Sequence, residues 1–294
     1  MATIVCFGEV LWDVFPSHKT IGGAPLNVGL RLHSFKNNVT LISSVGKDEN
    51  GSDLLNYIKK EGLNTSSIQI NEEFKTSEVI VTLDEVGSAS YSIEFPCAWD
   101  YIVNNEKIIT TVKNSDAFIF GSLVARNEVS YHTLLELLNV ASFKVFDVNL
   151  RSPHYTINIL EKLMQKADFI KFNDDELFEI CKTFHFNSDD LKENIKFISK
   201  KTNTDTICVT LGKNGAVIYI NNAFYFNDGY QVNVKDTVGA GDSFLASLID
   251  KLLKKETPQN AIDFACAVGA LVASNTGANP KITTSDIESM MNGV

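Results

Sequence analysis

The chain has no Cys-x-x-Cys, no dense run of lysine and arginine, and no apolar stretch of membrane-spanning length. Its five cysteines, Cys6, Cys97, Cys181, Cys208 and Cys266, are scattered. That spacing argues against a disulfide framework and against a thiolate zinc site, and fits a reducing cytoplasm. The net charge is -10 over 294 residues. A nucleic-acid binder would show a basic face, so no such partner is expected. Spanning a bilayer takes roughly 20 apolar residues. The longest apolar segment, around Ala261 to Ala273, contains Asp263 and many small residues and reads as a buried helix, so no membrane partner is expected either. The first residues, Met1 to Gly8, lack the basic start and long apolar core of a signal peptide, and the expectation is a cytoplasmic chain.

Several nucleotide and metal signatures are missing as well. Gly46 and Gly51 have the spacing of a Walker-type loop, but no lysine follows. Gly239-x-Gly241-x-x-Phe244 lacks the third glycine of a dinucleotide fingerprint and lies near the C-terminus rather than after the first strand. That disfavours a nicotinamide dehydrogenase. Neither H-E-x-x-H nor H-R-D occurs, and the five histidines show no ligand spacing.

What is present is ordinary globular composition, 44% hydrophobic and 21% charged, with one alternating pattern running through most of it. Strands are expected at Thr3–Phe7, Val39–Val45, Ala117–Phe120, Lys144–Val148, Phe169–Phe172 and Thr206–Thr210, with helices between them. Such alternation predicts a mostly parallel sheet covered on both faces, with ligands outside the carboxyl ends of the strands. Residues from about Ile68 to Tyr101 break the pattern and read as a β-rich insertion, with strands at Glu78–Leu83 and Ser88–Phe95 around a turn at Asp84-Glu85-Val86-Gly87.

The stretch Asp236-Thr237-Val238-Gly239-Ala240-Gly241-Asp242-Ser243-Phe244 reads as a glycine-rich turn feeding a helix. The unpaired N–H groups of such a helix start suit a phosphate. Asp242 in the first turn is either a simple dipole-stabilised acid or a base beside the reacting group, and the dipole is expected to keep its pKa low. Gly22-Gly23-Ala24-Pro25 reads as a tight turn opening a helix, with Asn27 a cap or a reader of hydroxyls. Asp13, among apolar residues, is a solvent-facing strand residue or an acceptor for sugar hydroxyls. Asn173-Asp174-Asp175-Glu176 is a sound helix start that could also organise hydrated Mg2+. Arg151 is a surface ion-pair partner or a phosphate clamp.

Taken together these residues resemble the ribokinase-like (PfkB) carbohydrate kinases. Asp236 to Phe244 is similar to that family's D-T-x-G-A-G-D-x-F signature, Gly22 to Val28 to its G-G-x-x-x-N element, and Asn173 to Glu176 to its N-x-x-E motif. Gly8 to Pro16, Gly121-Ser122-Leu123, Phe146 to Arg151 and Lys171-Phe172-Asn173 resemble the fructokinase subgroup. In many fructokinases the second strand of the lid carries a basic residue, whereas Tyr91 to Asp100 has none.

The resemblance implies one ribokinase-like domain over 1–294, a three-layer α/β/α sandwich with a mostly parallel central sheet. A small β-strand lid would come from about 12–21 and 76–100. It implies an ATP-dependent kinase acting on the 6-hydroxyl of D-fructose. Ribose, 2-keto-3-deoxygluconate or a nucleoside are alternatives, as is a non-catalytic sugar-binding regulator. Asp242 would be the base and Gly239, Ala240 and Gly241 the anion hole. Asp13, Gly23, Asn27 and Arg151 would lie on the substrate side, and Thr210, Gly212, Ser274, Asn275 and Gly277 would border the nucleotide. Asn173 and Glu176 would act on Mg2+ through water. Asp236, with Gly277-Ala278, would border a monovalent cation such as K+. The lid strands would pair into a homodimer.

Overall fold

A computed structural model of the chain describes residues 1–83 and 89–293. The expected turn at Asp84 to Gly87 lies outside the described residues. In chain order the elements are β1 (Thr3–Phe7), β2 (Leu11–Val14), β3 (Lys19–Gly22), α1 (Ala24–Ser34), β4 (Asn38–Gly46), α2 (Glu49–Lys60), β5 (Ile68–Asn71), β6 (Ser77–Leu83) and β7 (Ala89–Ile93). There follow α3 (Glu106–Lys113), β8 (Ala117–Gly121), α4 (Glu128–Leu138), β9 (Lys144–Asp147), α5 (Ile157–Lys166), β10 (Phe169–Asn173), α6 (Asp174–Thr183) and α7 (Leu191–Thr202). The chain closes with β11 (Thr206–Thr210), β12 (Ala216–Ile220), β13 (Ala223–Asn227), α8 (Ala240–Leu253), α9 (Pro258–Ala273) and α10 (Thr284–Asn292).

The large sheet has the order β13-β12-β11-β10-β9-β8-β1-β4-β5. From β11 to β5 neighbouring strands run parallel, and β12 and β13 are antiparallel additions at one edge. Side chains alternate between faces with a period of two. In β1, Val5 and Phe7 enter the core shared with α3 to α7, whereas Ile4 and Cys6 enter the core shared with α1, α2, α8 and α9. Both faces are therefore buried, giving a three-layer α/β/α sandwich, as the strand–helix alternation predicts.

The same alternation places two charged residues inside. In β10, Phe169 faces the α8 side and Ile170 the other, so Lys171 turns to the α8 side. In β9, Val145 and Phe146 divide in the same way, and Asp147 joins Lys171.

A second sheet, of order β3-β2-β6-β7, stands apart as the small lid. Here β2 pairs antiparallel with β3 and parallel with β6, and β6 pairs antiparallel with β7. Two details differ from the sequence reading. The strand β5 is not part of the insertion: it pairs parallel with β4 at the edge of the large sheet. The end of the expected lid range, 76–100, also lies outside the small sheet. Ala98–Tyr101 forms a short 3-10 turn whose Trp99 and Asp100 are fully buried. Arg126 anchors this turn, bonding both Asp100 oxygens at 2.7 and 2.8 Å and stacking on Trp99 at 4.0 Å. The apolar pattern of Ile68–Tyr101 is thus split among a sheet edge, the lid and the main core, a division that only tertiary packing decides.

Strand order changes direction at β1, which has β4 on one side and β8 on the other. The crevice at such a switch point is where open parallel sheets bind ligands. The carboxyl end of β1 leads into Gly8-Glu9, that of β9 ends at Asp147, and that of β10 at Asn173.

Candidate active site

At this edge the start of α8 meets the start of α1. Gly239 caps α8 in a left-handed conformation with φ 74°, and a Cβ there would stand 2.6 Å from Ala278. Only glycine allows this approach. Asp236 ties the two loops together, its carboxylate accepting the N–H of Val238 and that of Gly277, each at 3.0 Å. The Ala240 N–H is donated back to the Thr237 carbonyl at 3.2 Å. That leaves the N–H groups of Gly241 and Asp242 as first-turn donors without a protein acceptor among the described residues. Gly241 is exposed, so this helix start opens to solvent.

Asp242 accepts a hydrogen bond from the Asn27 side-chain amide at 2.8 Å. Asn27 is itself held through its Oδ1, which accepts from Asn279 at 2.8 Å. Beneath them Arg31 of α1 donates to Ser243 of α8 at 3.1 Å and to the Pro280 carbonyl at 3.0 Å. These contacts hold the two helix starts in one register. Burial pushes the Asp242 pKa up to about 6, and the nearby Asp147 carboxylate adds to it, against the Asn27 bond and the cations Lys171 and Arg151. This corrects the expectation of a dipole-lowered acid. Desolvation outweighs the helix start.

The glycine pair before α1 brings the lid onto this point. Gly23 has φ 111°, and a Cβ there would meet the Glu9 carbonyl at 2.5 Å. A Cβ on Gly22 would run into the Asp13 carboxylate. Asp13 is half-buried in β2, opposite Thr20. Burial raises its pKa to about 6, opposed by Arg151. Arg151 is exposed, and its charge also reaches Glu9 and Asp242. Thus Asp13, Gly23, Asn27, Arg151 and Asp242 lie near one another beside the starts of α1 and α8.

Asn173 caps α6, and the Asn173–Glu176 pair forms a reciprocal capping box. The two Glu176 oxygens accept the N–H groups of Leu150, at 2.8 Å, and Asn173, at 2.9 Å. Each oxygen keeps a lone pair, so the residues fit a hydrated cation bound through water rather than a direct ligand cage. Among the described residues no group of three or more His, Cys, Asp or Glu is arranged to hold a metal directly.

The residues expected to border a nucleotide lie on the loops after β11 and α9. Thr210 ends β11 and bonds the Phe172 carbonyl at 3.4 Å. Gly212, with φ 57°, and Gly277, with φ 81°, face open space where a Cβ would stand. The side chains of Ser274 and Asn275 both turn back to the Leu271 carbonyl at 2.8 Å, so they finish α9 rather than reach outward.

Three features lie outside the candidate site residues, although Glu9 and Asp147 belong to polar clusters read from the sequence at the ligand-side ends of the strands. Glu9 is 3% exposed, near enough to Asp242 to feel its charge, with Oε2 unpartnered among the described residues, and burial pushes its pKa up to about 7. Lys171 and Asp147 form a buried ion pair at 2.8 Å. Asn279 orients Asn27. A lysine within the apolar run Phe169–Phe172 was the available signal for the second. Asn279 offered none, since its partner lies 252 positions away.

The fold is shared with known proteins. A probable fructokinase-4 of Arabidopsis thaliana is 25% identical over 320 residues, covering 99% of this chain and 97% of that one. The structure of a fructokinase from Xylella fastidiosa with bound ATP superposes with a TM-score of 0.86 at 23% identity, covering 99% and 98% of the two chains. A fructokinase double mutant from Vibrio cholerae in a fructose, ADP and potassium ion bound form gives a TM-score of 0.85 at 21% identity, covering 99% and 98%. Residues 2–285 match the profile of the pfkB family carbohydrate kinases. With residues 2–285 of its 294 matched, the chain belongs to the pfkB family of carbohydrate kinases and is a sugar phosphotransferase.

Proposed function

We propose that this kinase transfers the γ-phosphoryl group of ATP to the 6-hydroxyl of D-fructose. The observation that carries the reading is the 2.8 Å bond between Asn27 and Asp242, which joins the sugar-side turn to the phosphate-side helix start. Asp13, Asn27 and Arg151 hold and orient the sugar, with Gly22 and Gly23 allowing the close approach. Asp242 takes the proton of the attacking hydroxyl. Phosphoryl transfer passes through a loose transition state, so positioning matters more than base strength. The N–H groups of Gly241 and Asp242 meet charge developing on the transferred group. Asn173 and Glu176 would hold Mg2+ through water, and the ion would neutralise phosphate charge. Thr210, Gly212 and the loop around Gly277 border the nucleotide, and Asp236 retains lone pairs for a monovalent cation. The small sheet closes over the sugar and excludes water. Its exposed apolar residues, Ile80 at 46% and nearby Phe95 at 54%, pair with a second copy.

The test is a panel of D-fructose, ribose, 2-keto-3-deoxygluconate and nucleosides with coupled detection of ADP. D-fructose is expected to have the highest kcat/KM. A higher value for any other acceptor would replace it as the substrate, and the absence of ADP release with every acceptor would leave a sugar-binding regulator. Light scattering on the purified chain is expected to give the mass of a dimer, and a monomer would contradict the lid pairing.

A further inference from the structure

Asn50, half-buried in the first turn of α2, is a point at which the lid meets the body of the molecule. Three of its polar groups each hold a different strand of the small sheet. The backbone carbonyl accepts the indole N–H of Trp12 in β2 at 3.0 Å. The side-chain Oδ1 accepts from Lys19 Nζ in β3 at 2.7 Å, and Nδ2 donates to Glu78 in β6 at 2.7 Å. Lys19 also stands over the Trp12 ring at 4.3 Å. The register places these contacts on one side of the sheet. Trp12 is opposite Ile21 and Glu78, and Lys19 lies two residues before Ile21, so Trp12, Lys19 and Glu78 share a face. Asp13, the next residue of β2, turns to the other face, where a Cβ on Gly22 would run into its carboxylate. Holding one face of β2 against α2 therefore fixes what the other face presents.

We propose that Asn50 is a positioning residue for the sugar, clamping three lid strands to the start of α2 and so setting where the Asp13 carboxylate stands. The inference rests on the reading of Asp13 as a residue that holds the sugar. The side-chain chemistry suits a clamp. Lys19 can only donate and ionised Glu78 can only accept, and an asparagine offers one group of each kind on a short, neutral stem. An aspartate would lack the donor for Glu78, and an apolar residue would lack both groups. Both side-chain bonds have a charged partner, which makes them stronger than neutral ones. Asn50 touches neither sugar nor nucleotide in this account and acts through β2 alone.

The test compares Asn50→Ala, Glu78→Ala and Glu78→Gln with the wild type, and Asn50→Ala again in an Asp13→Asn background. Alanine is a good helix former, so Asn50→Ala leaves α2 intact. Its KM for the preferred sugar is expected to rise about 5- to 10-fold, with kcat and ADP affinity within about 2-fold, because the start of α8 is untouched. Glu78→Ala removes one contact without changing α2 and should give a smaller rise. Glu78→Gln still accepts from the Asn50 amide and should stay close to the wild type. In the Asp13→Asn background, Asn50→Ala is expected to lower kcat/KM by less than about 2-fold more, since residues acting through one contact are not additive. An unchanged KM in Asn50→Ala and Glu78→Ala, or equal losses with and without Asp13, would overturn the proposal. Acrylamide quenching reads the clamp without turnover. Trp12 should become more accessible in Asn50→Ala, while Trp99, fully buried in the main core, stays protected. Quenching equal to that of the wild type would count against the clamp. Failure of the wild type to release ADP with any sugar would instead defeat the kinase reading and leave the quenching result standing, so the two failures are distinguishable.

Discussion

Asn27 donates its side-chain amide to the Asp242 carboxylate across 2.8 Å, joining residues 215 positions apart. Asn279 donates to the other end of the same amide, so the Asn27 side chain has one satisfied orientation. The bond favours the charged form of Asp242, and under the proposed function it sets the residue that reads a sugar hydroxyl beside the base. Removing the side chain in Asn27→Ala is expected to raise KM for the sugar by up to about 10-fold, by the loss of a neutral hydrogen bond to a sugar hydroxyl. The acid limb of the pH profile should also move to higher pH, because the hydrogen bond that lowers the Asp242 pKa is gone. Steady-state kinetics across pH check both. An unchanged KM would detach Asn27 from the sugar.

The wild-type pH profile has a defined sign. The base must be ionised to accept a proton, and burial lifts the Asp242 pKa to about 6. Activity is therefore expected to climb as pH rises through about 6 and to level above it. An acid limb near 4, the range of an ordinary carboxylate, would show that burial does not govern this residue.

Glu9 predicts a stability effect separate from catalysis. Its pKa is raised to about 7, so the folded chain binds a proton more readily than the unfolded one. Between about pH 4 and pH 7 the folded state carries the extra proton, and stability falls as pH rises through that window. At pH 8 the buried charge costs on the order of 3 kcal/mol. Glu9→Gln removes the titration, so its melting temperature should exceed that of the wild type at pH 8 by a few degrees and match it near pH 5. Thermal melts at the two pH values check this, and a variant less stable at pH 8 would contradict it.

Gly239 carries a backbone prediction. At φ 74°, with Ala278 2.6 Å from the position of an added Cβ, Gly239→Ala would strain the turn and push apart the loops that Asp236 ties. The left-handed conformation alone costs about 1–2 kcal/mol for a residue with a Cβ. A loss of stability of at least that size, with ATP affinity falling more than sugar affinity, is expected in denaturation and binding measurements.

The two layers of information in the chain were unequally legible. Strand–helix alternation follows from local periodicity, so β1, β4, β8, β9, β10 and β11 were readable, as were the helix starts at Gly23, Asn173 and Gly239. Edge strand β5 and the buried turn at Ala98–Tyr101 were not, because their partners, β4 and Arg126, are distant in sequence. In the site, glycines and acids at turn positions were visible, since turn chemistry is local. The charge state of Asp242 was not. The sequence shows a carboxylate at a helix start, and only the packed structure shows the burial and the nearby Asp147 that raise its pKa. Glu9, Lys171 and Asn279 act through groups that the fold brings to them.

The central claim is that Asp242 serves the chemical step while Asn27, Asp13 and Arg151 bind the sugar. The most direct measurement pairs the dissociation constant for D-fructose with kcat in Asp242→Asn. The predicted result is sugar affinity within about 3-fold of the wild type and kcat lower by about 10²-fold or more. Near-normal turnover in a folded Asp242→Asn enzyme would contradict the account.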